Sequence, residues 1–331
     1  MRPSNPLALG IDLGGSNLRL GIVDCHGSMV DFRAQPIDLS LSGDDLVAMV
    51  SRHARGLARL SEASGVGLAL SASVLAGGDL GPGMTTHPRL GGYPLRQRLS
   101  EELGRPCLID NDANLALLGE VHFGAARGLR DVLLLTLGTG VGGGLMLGGH
   151  LRRGAHSSAA EIGLTQVPGT GEEDYVSLES LSSPGALMRE LGDPRGHLFE
   201  RAASGDRKAK ALIEQMFRYL GLAVANAHIL LDLELVLLAG GLSRSGVVLR
   251  DGLRAAFARI CPLELQFGLR IDLAAESRRR RSDWRSLPVV RGAGLATTIV
   301  TRRCGPTLVD GAKWAWLPQV DSRPPISQSG N

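Results

Sequence analysis

Polar side chains that could remove a proton stand together at the start of one helix. The stretch CLIDNDANLALLGE runs from an apolar strand into a helix, and its junction carries Asp110, Asn111, Asp112 and Asn114. One of them is expected to cap the helix, because Asp and Asn accept hydrogen bonds from the N–H groups of a first turn. Four such side chains exceed what a cap needs. A carboxylate here, at the mouth of a cleft, could act as the general base that takes a proton from a substrate hydroxyl during phosphoryl transfer.

A glycine turn near the N-terminus could bind phosphate. In IDLGGSNLRLGIVD, Asp12 ends a strand and Gly14, Gly15 and Ser16 follow as a turn. Glycines let backbone N–H groups approach an anion closely, because no Cβ stands in the way. The neighbouring Asp12 carboxylate could hold Mg²⁺, directly or through water. An ordinary hairpin turn explains the same residues, and the turn alone does not decide between the two.

Two further glycine turns each follow an apolar strand. LGTGVGGG, residues 137–144, places the Thr139 hydroxyl inside a turn, and AGGLSRSG, residues 239–246, lies between a strand and a helix. Each turn is a weak signal by itself. Three such turns, arranged across two halves of the chain, indicate a nucleotide held between two lobes, with the third turn placed to contact the nucleoside.

The segment EIGLTQVPGTGEEDYVSLES, residues 161–180, begins with Glu161 and carries Glu179 near its end. It contains a Gly/Pro turn and an acidic run, but neither Cys nor His. Three interpretations are open at this point: a surface loop, a pair of carboxylates directed at a ligand, or a metal site that has lost its metal.

Composition excludes several classes of function. A net charge of +3 over 331 residues does not require nucleic acid or an acidic membrane as partner. Lysine occurs only at Lys208, Lys210 and Lys313, so no glycine turn in the first 200 residues is a P-loop, which needs a lysine. The four scattered cysteines form no C-x-x-C and fit a reducing cytosol. We find no signal peptide and no apolar run long enough to span a membrane, and we expect a cytoplasmic protein.

The elements that position these residues follow a regular order in the first half of the chain. Residues 6–35 predict three consecutive antiparallel strands joined by tight turns. Residues 43–60 predict a helix with acidic residues in its first turn, and residues 93–104 predict a second helix that stops at Gly104.

The second half repeats this organisation. A strand, a glycine turn and another strand recur from residue 130, and a long helix is predicted over residues 206–232. A further helix is predicted over residues 246–259. The halves share an order of elements without visible sequence identity, and the boundary is expected near residues 111–114.

Taken together, these motifs resemble the ROK family of sugar kinases and related repressors, within the actin-like/hexokinase ATPase superfamily. The resemblance runs from about Leu7 to Val300 and includes two phosphate motifs, IDLGGSNLRLGIVD and LLTLGTGVGGG. It also includes a catalytic-Asp motif, IDNDANLALLGE, a segment with a sugar-binding Glu, RRGAHSSAAEIG, and an adenosine motif, VLLAGGLS. The resemblance implies an α/β, two-lobed actin-like ATPase (ribonuclease H-like) fold with a cleft between the lobes, which uses ATP and Mg²⁺.

The resemblance also implies how the chain is divided and assembled. A homodimer is the default for the family. The expected parts are an N-terminal lobe over residues 1–112, a C-terminal lobe over 113–290, a closing helix over 291–303 that returns to the N-terminal lobe, and a flexible tail over 304–331.

Individual residues receive roles from the resemblance. Asp112 would be the base that deprotonates the acceptor hydroxyl, and Asp12 would hold Mg²⁺. The sugar hydroxyls would be bound by Asn111, Glu161 and Glu179. The phosphates would be cradled by Gly14, Gly15, Ser16, Asn17, Gly138, Thr139 and Gly140, and the adenosine would be contacted by Gly240 and Gly241.

The segment 161–180 departs from the family pattern. The family usually has a His three residues after the first Glu, followed by a C-x-C-G-x-x-G-C cluster that ligates zinc. Here Leu164 stands at the His position and VPGTGEEDYVS replaces the cluster, so we expect no zinc. Both glutamates are kept. We therefore interpret the segment as a ligand-binding loop in which packing of Tyr175, Val176 and Leu178 replaces the metal.

The acceptor half of the site is altered, whereas the phosphate half is intact. Arg89 replaces an Asn that commonly touches the sugar, and Tyr93 replaces a Trp. Leu164 removes a hydrogen-bonding partner on the anomeric side, and a site rejects a ligand whose polar groups it leaves unpaired. We expect Arg89 to contribute to binding an acceptor that is unlike glucose around its anomeric region.

The leading hypothesis is an ATP-dependent kinase that phosphorylates a primary hydroxyl of a sugar or a sugar-like cyclitol. A C7-cyclitol has no anomeric hydroxyl and would tolerate the loss of the His. One alternative is an ordinary glucose or hexosamine kinase with a drifted site. An alternative of a different class is a non-catalytic sugar sensor or regulator; a repressor is disfavoured because the eleven residues before Asp12 are too few for a helix-turn-helix.

Overall fold

The computed structural model describes residues 6–75, 77–169, 174–193 and 197–275, with the backbone alone for residues 82–85. Within these ranges the strands are β1 (Leu7–Leu13), β2 (Asn17–Asp24), β3 (Met29–Pro36), β4 (Ala63–Leu70), β5 (Ala72–Val74), β6 (Leu80–Thr85), β7 (Cys107–Asn111), β8 (Val132–Leu137), β9 (Val141–Leu147), β10 (His150–Arg152), β11 (Gln166–Pro168), β12 (Tyr175–Ser177), β13 (Leu235–Ala239) and β14 (Arg270–Leu273). The helices are α1 (Gly43–Arg55), α2 (Leu95–Leu103), α3 (Asp112–Phe123), α4 (Leu178–Ser182), α5 (Pro184–Leu191), α6 (Leu198–Ala203), α7 (Arg207–Leu231) and α8 (Val247–Ile260). The expected closing helix over residues 291–303 and the expected tail over residues 304–331 lie outside the described residues.

The first sheet has the strand order β3-β2-β1-β4-β7. Strands β1, β2 and β3 are antiparallel neighbours, which confirms the three strands predicted from the N-terminal sequence. Strands β4 and β7 then continue the sheet in parallel with β1. Because β1 and β7 run in the same direction, Asp12 and Asn111 lie toward the same edge of the sheet.

The second sheet repeats this arrangement with the order β10-β9-β8-β13-β14. Strands β8, β9 and β10 are antiparallel, and β13 and β14 continue in parallel with β8. Ala239 pairs with Thr136, so the glycine turns that follow β13 and β8 begin side by side. The repeated organisation predicted from the sequence is confirmed in the pairing of the strands.

Helix α3 connects the two sheets. Its buried side chains pack against Ala69 of the first sheet and against Val132 and Leu134 of the second. A helix that is apolar on all sides must be enclosed, and Leu115 and Leu117 are both fully buried. Each such leucine stabilises the fold by about 1.5–3 kcal/mol. The first turn of α3, which carries Asp112, is therefore fixed relative to both sheets.

Two larger clusters form most of the rest of the core. One packs α1 and α2 against the first sheet, and the other packs α4, α5, α7 and α8 against the second. The helix predicted over residues 43–60 ends five residues early, at Arg55, where Gly56 caps it by donating its N–H to the carbonyls of His53 and Ala54. Among the described residues, no helix combines the length and the apolar composition that crossing a membrane would need.

Candidate active site

Asn111 provides the cap that the sequence predicted for α3. Its Oδ1 accepts hydrogen bonds from the backbone N–H groups of Ala113 (2.8 Å) and Asn114 (3.3 Å). Its Nδ2 donates to the carbonyl oxygen of Ala72 at 3.3 Å, which ties the cap to β5. Asp112 occupies the first helical position and is not the cap. The cap is thus assigned to Asn111, and the role of Asp112 as a base stays a prediction.

The predicted base Asp112 and the predicted sugar-binding residue Glu179 both act electrostatically on Glu161. Glu161, at the start of a short 3₁₀ helix, is half-buried. Burial raises the pKa of Glu161, and the negative charges of Asp112 and Glu179 raise it further. Asp112 and Glu179 are therefore each within electrostatic range of Glu161, although the three residues come from α3, from the loop after β10 and from α4. Repulsion between these negative charges destabilises the folded protein when no ligand is bound. The arrangement suits a ligand that donates hydrogen bonds from several hydroxyl groups.

This charge repulsion predicts how Glu161→Gln changes the thermal stability of the protein. Because the pKa of Glu161 is raised in the folded state, folding favours the protonated form, and that contribution to stability is lost as the pH rises through the raised pKa. At pH 7.5 without ligand, Glu161→Gln is therefore expected to raise Tm, by about 2–4 °C for each kcal/mol of repulsion removed. The difference should shrink toward pH 4.

Thermal melts of both proteins across that pH range measure the effect. Glu62→Gln is a matched control, because hydrogen bonds from Arg59 lower the pKa of Glu62 and no gain is expected there. If the increase in Tm caused by Glu161→Gln grows as the pH falls, the pKa of Glu161 is not raised by the fold.

Two glycines of β9 allow the acceptor-site segments to approach it. An ideal Cβ at Gly143 would lie 2.4 Å from the carbonyl oxygen of Ala160, and one at Gly144 would lie 2.7 Å from that of Ala113. Ala160 precedes Glu161 and Ala113 follows Asp112. Strand β9 is thus the common support for both carboxylates. The sequence had placed these glycines in a turn over residues 137–144, but the turn ends at Gly140 and β9 begins at Val141.

The second glycine turn contacts the acceptor site through Glu179. The N–H of Gly138 donates to the carbonyl of Gly140 at 3.0 Å, which closes the turn. Oε2 of Glu179 accepts from the N–H of Val141 at 3.2 Å. An ideal Cβ at Gly140 would lie 2.5 Å from the same oxygen. Gly140 therefore faces Glu179, while the exposed Thr139 faces outward.

The second and third glycine turns border one cleft. Gly240 adopts a φ of 88°, and an ideal Cβ there would lie 2.7 Å from the backbone nitrogen of Leu137, so a glycine is required for β13 to end beside β8. The cleft has a volume of about 540 Å³. Its lining includes Gly138, Thr139 and Gly241 of the two turns, together with Pro184, Met188, Arg189, Phe199, Glu200, Leu242 and Arg244.

The side chains of α5 and α6 in this cleft were missed by the sequence reasoning. They supply apolar and aromatic surface from Met188 and Phe199, with the charges of Arg189 and Glu200 at the cleft. Apolar walls with a few polar groups are typical of a pocket for a planar base and a sugar. No local pattern in the sequence identifies them, because their position depends on how short helices pack on the second sheet.

The first glycine turn lies beside an ion pair. Asp12 is 2% exposed, and its Oδ2 accepts a hydrogen bond from Arg19 at 2.7 Å. The N–H of Gly14 donates within the turn to the carbonyl of Asn17. Gly15 and Ser16 are exposed and are the positions from which this turn can meet a phosphate. The Arg19 partner was missed, although the pairing of Asp12 with Arg19 across a hairpin could have indicated it.

The donor set at Asp12 is compatible with magnesium. A carboxylate has about four lone-pair sites, so an ion pair with Arg19 leaves room for Mg²⁺ or its waters at the same group. Magnesium commonly binds through one or two carboxylates plus substrate phosphates and keeps several waters. In the described part of the chain, no three His, Cys, Asp or Glu side chains form a cluster that could hold a metal by themselves.

Arg89 and its neighbour His87 lie near the first turn. His87 is buried and hydrogen-bonds to the backbone of Gly14 and Leu13; burial nevertheless lowers its pKa. Arg89 is exposed, and its positive charge acts on the carboxylate of Asp38. Hydrogen bonds from Ser40 lower the pKa of Asp38, with a smaller contribution from Arg89. The predicted role of Arg89 in binding the acceptor stays a prediction.

A β-hairpin occupies the segment in which the family carries its zinc cluster. Strands β11 and β12 pair antiparallel, and the hydroxyl of Tyr219 donates to the carbonyl of Pro168 at 3.0 Å. Val167 and Leu178 are buried, so packing does hold the segment. The expected contribution of Tyr175 is wrong: its side chain is 68% exposed, because it lies on the outer face of the hairpin.

Leu164 places an apolar residue three positions after Glu161, in the same short helix. It ends the short helix Ile162–Leu164 that Glu161 begins, and its N–H donates to the carbonyl of Glu161 at 3.0 Å. The residue is 47% exposed, although leucine is usually buried. This side chain cannot hydrogen-bond a hydroxyl that approaches it.

Comparison with known proteins gives consistent matches. The sequence profile of the ROK family matches residues 8–267. A glucokinase from Halalkalibacterium halodurans is 30% identical over 285 residues, which cover 75% of this chain and 84% of that protein. A ROK hexokinase from Thermus thermophilus is 28% identical, with a TM-score of 0.71, and the match covers 90% of this chain and 100% of the other. A ROK family glucokinase from Streptomyces griseus, solved in complex with glucose and AMPPNP, is 25% identical with a TM-score of 0.72, covering 89% of this chain and 99% of the other.

These structural matches confirm the fold class predicted from the sequence. The chain has the two-lobed, actin-like α/β fold of the matched kinases. The two five-stranded sheets with the same strand order are the basis of the lobes.

Proposed function

The chain belongs to the ROK family, and from that premise we propose that it is an ATP-dependent kinase acting on a primary hydroxyl of a sugar or a sugar-like cyclitol. The observation that carries the proposal is that Glu179 lies against the second glycine turn, while Glu161 lies within electrostatic range of both Glu179 and Asp112. The charges of Asp112 and Glu179 raise the pKa of Glu161, and Glu179 also accepts a hydrogen bond from the backbone after that turn. These contacts support a proposed base and a proposed acceptor site next to the proposed phosphate turn.

In the proposed reaction, Asp112 takes the proton of the acceptor hydroxyl as its oxygen attacks the γ-phosphorus of ATP. The new O–P bond forms while the bond to the β-phosphate oxygen breaks, and ADP leaves. Glu161 and Glu179 accept hydrogen bonds from other acceptor hydroxyls and fix the attacking oxygen in place. The lobes, divided near residue 112, close to exclude water, which is a competing acceptor.

The cleft between the second and third glycine turns is the proposed nucleotide site. Gly15, Ser16 and Thr139 are exposed where N–H groups and hydroxyls can meet the phosphates. Phe199 and Gly241 line the part of the cleft proposed for the adenosine. The Streptomyces griseus relative was solved with AMPPNP, an ATP analogue, which supports ATP as the donor here.

Magnesium completes the proposed phosphate site. Asp12 would hold it, paired with Arg19 on one oxygen. When bound, the ion neutralises charge that develops on the transferred phosphoryl group. We propose no zinc, because Leu164 stands at the family's His position and a hairpin occupies the cluster segment.

The acceptor is proposed to lack an anomeric hydroxyl, as a C7-cyclitol does. The exposed, apolar Leu164 beside Glu161 supports this, because it cannot pair with a hydroxyl on that side. A hexose acceptor is the second candidate, supported by the glucose bound to the Streptomyces griseus relative and by the glucokinase name of the Halalkalibacterium halodurans relative. We further propose a cytoplasmic homodimer that acts on small molecules and binds neither nucleic acid nor membrane.

An acceptor panel tests the function. ATP consumption is measured with purified protein and Mg²⁺ against hexoses, N-acetylhexosamines, inositols and C7-cyclitols. Turnover with a cyclitol above that with glucose is expected. Turnover with glucose alone would reject the cyclitol proposal and show that Leu164 does not determine which acceptor is used. Binding of sugar or nucleotide without any turnover would indicate a sensor.

A further inference from the structure

Arg153 forms a charged contact across the two halves of the molecule. It follows β10 of the second sheet, and its Nε donates to Oδ2 of Asp110 at 2.9 Å. Its NH2 group donates to the same oxygen. Asp110 belongs to β7 of the first sheet, and only 4% of its side chain is exposed, against 27% for Arg153. The planar guanidinium group of Arg153 fixes both the distance and the orientation of its contact with the Asp110 carboxylate, whereas a lysine ammonium would fix only the distance.

The Asp110 carboxylate is also tied to the start of α3. Its Oδ1 accepts from the N–H of Asn111 at 2.8 Å and from Nδ2 of Asn114 at 3.1 Å. These two residues flank Asp112 along the chain. One carboxylate therefore connects Arg153 to the turn of helix that carries the proposed base.

The backbone of Arg153 holds the loop that leads to Glu161. Its carbonyl oxygen accepts from the N–H of Ala159 at 3.0 Å, which closes the loop. Ser157 and Ala160 within this loop have φ values of 58° and 66°, in the left-handed region that L-residues seldom adopt. Such conformations persist only where surrounding contacts hold them.

From these contacts we infer that Arg153 is a positioning residue: through Asp110 on one side and through its own loop on the other, it sets the separation of Asp112 from Glu161. The inference rests on the proposed kinase function. The described hydrogen bonds of the Arg153 side chain go to Asp110, so its loss should disturb the placement of the acceptor and leave the nucleotide cleft, formed by other segments, unchanged.

The first test is the kinetics of Arg153→Gln with the best acceptor of the panel. A displacement of about 1 Å can lower a rate by about 10²-fold, so kcat/KM for the acceptor is expected to fall by up to that factor, while KM for ATP changes less than about twofold. Arg153→Lys should be intermediate. Arg59→Gln is the matched control, because Arg59 makes a two-pronged contact with Glu62 after α1, away from the site.

A second variant separates positioning from stability. Arg153→Gln leaves the buried Asp110 charge uncompensated, which is destabilising, whereas Asp110→Asn/Arg153→Gln removes both charges. The double variant is expected to recover Tm without recovering KM for the acceptor. Recovery of both, or an equal rise in KM for ATP in the single variant, would overturn the inference.

Hydrogen exchange provides a readout that needs no turnover. Faster amide exchange is expected in Arg153→Gln at residues 153–162 and 110–116 only. Unchanged exchange in these segments would overturn the positioning role even if the protein proves to be a kinase. If wild type shows no turnover with any acceptor but Arg153→Gln still exchanges faster in these segments, the proposed kinase function is rejected and the structural contact is kept.

Discussion

Replacing Asp112 with asparagine is expected to lower kcat by about 10²–10⁴-fold, the usual contribution of a general base. Asparagine has nearly the same shape but cannot take the proton of the acceptor hydroxyl. The substitution leaves α3 capped, because Asn111 supplies the hydrogen bonds to Ala113 and Asn114. KM for ATP should change little, since the nucleotide cleft is built from other segments.

Steady-state kinetics with the best acceptor measure this effect. Asp45→Asn is a matched control, because Asp45 also lies in the first turn of a helix, where it accepts from the Ser42 hydroxyl at 2.6 Å. That control should keep its kcat. If Asp112→Asn keeps kcat within about threefold, well short of the loss expected for a general base, then Asp112 is not the base.

The second large effect is expected from Gly143→Ala in β9. The added Cβ would lie 2.4 Å from the carbonyl oxygen of Ala160, and neither group belongs to a flexible side chain. Either the strand or the segment before Glu161 must move. Overpacking of this kind costs about 1–3 kcal/mol or more, so Tm should fall by several degrees, at about 2–4 °C per kcal/mol. KM for the acceptor should rise sharply.

Gly144→Ala gives a complementary result, because its Cβ would lie 2.7 Å from the carbonyl of Ala113. A shift of the Ala113 backbone would move the neighbouring Asp112, so the fall in kcat should be larger than the rise in KM for the acceptor. Gly91→Ala is the control, since an added Cβ at Gly91 meets nothing within 4 Å. Equal and small changes in all three variants would show that β9 does not support the acceptor site.

Local signals explain why parts of the fold were predictable. The strands β1 to β3 alternate and are joined by tight turns, and α2 ends where Gly104 adopts the left-handed conformation with a φ of 62°. The cap at Asn111 follows from the same short-range chemistry. Each of these features depends on residues within one turn or one hairpin, which the sequence displays directly.

Long-range contacts explain what was not predictable. Gly143 and Gly144 were read as part of a turn, because nothing in the sequence shows that Ala160 and Ala113 will lie against them. The Asp110–Arg153 pair joins residues 43 positions apart. Helices α4 and α6 have five and six residues, too few for a periodic pattern. Tyr175 was expected to pack, but a hairpin exposes alternate side chains and the sequence does not state which face is outside.

The placement of the site has a consequence for how this lineage can change its chemistry. Asp12 and the second and third glycine turns stand where parallel-running strands end, so altering them disturbs the ladders of two sheets. Arg89 and Leu164 lie instead in connections between strands. In the proposed kinase, one acceptor could therefore be exchanged for another by point substitutions in those connections, while the residues proposed to bind the donor are kept.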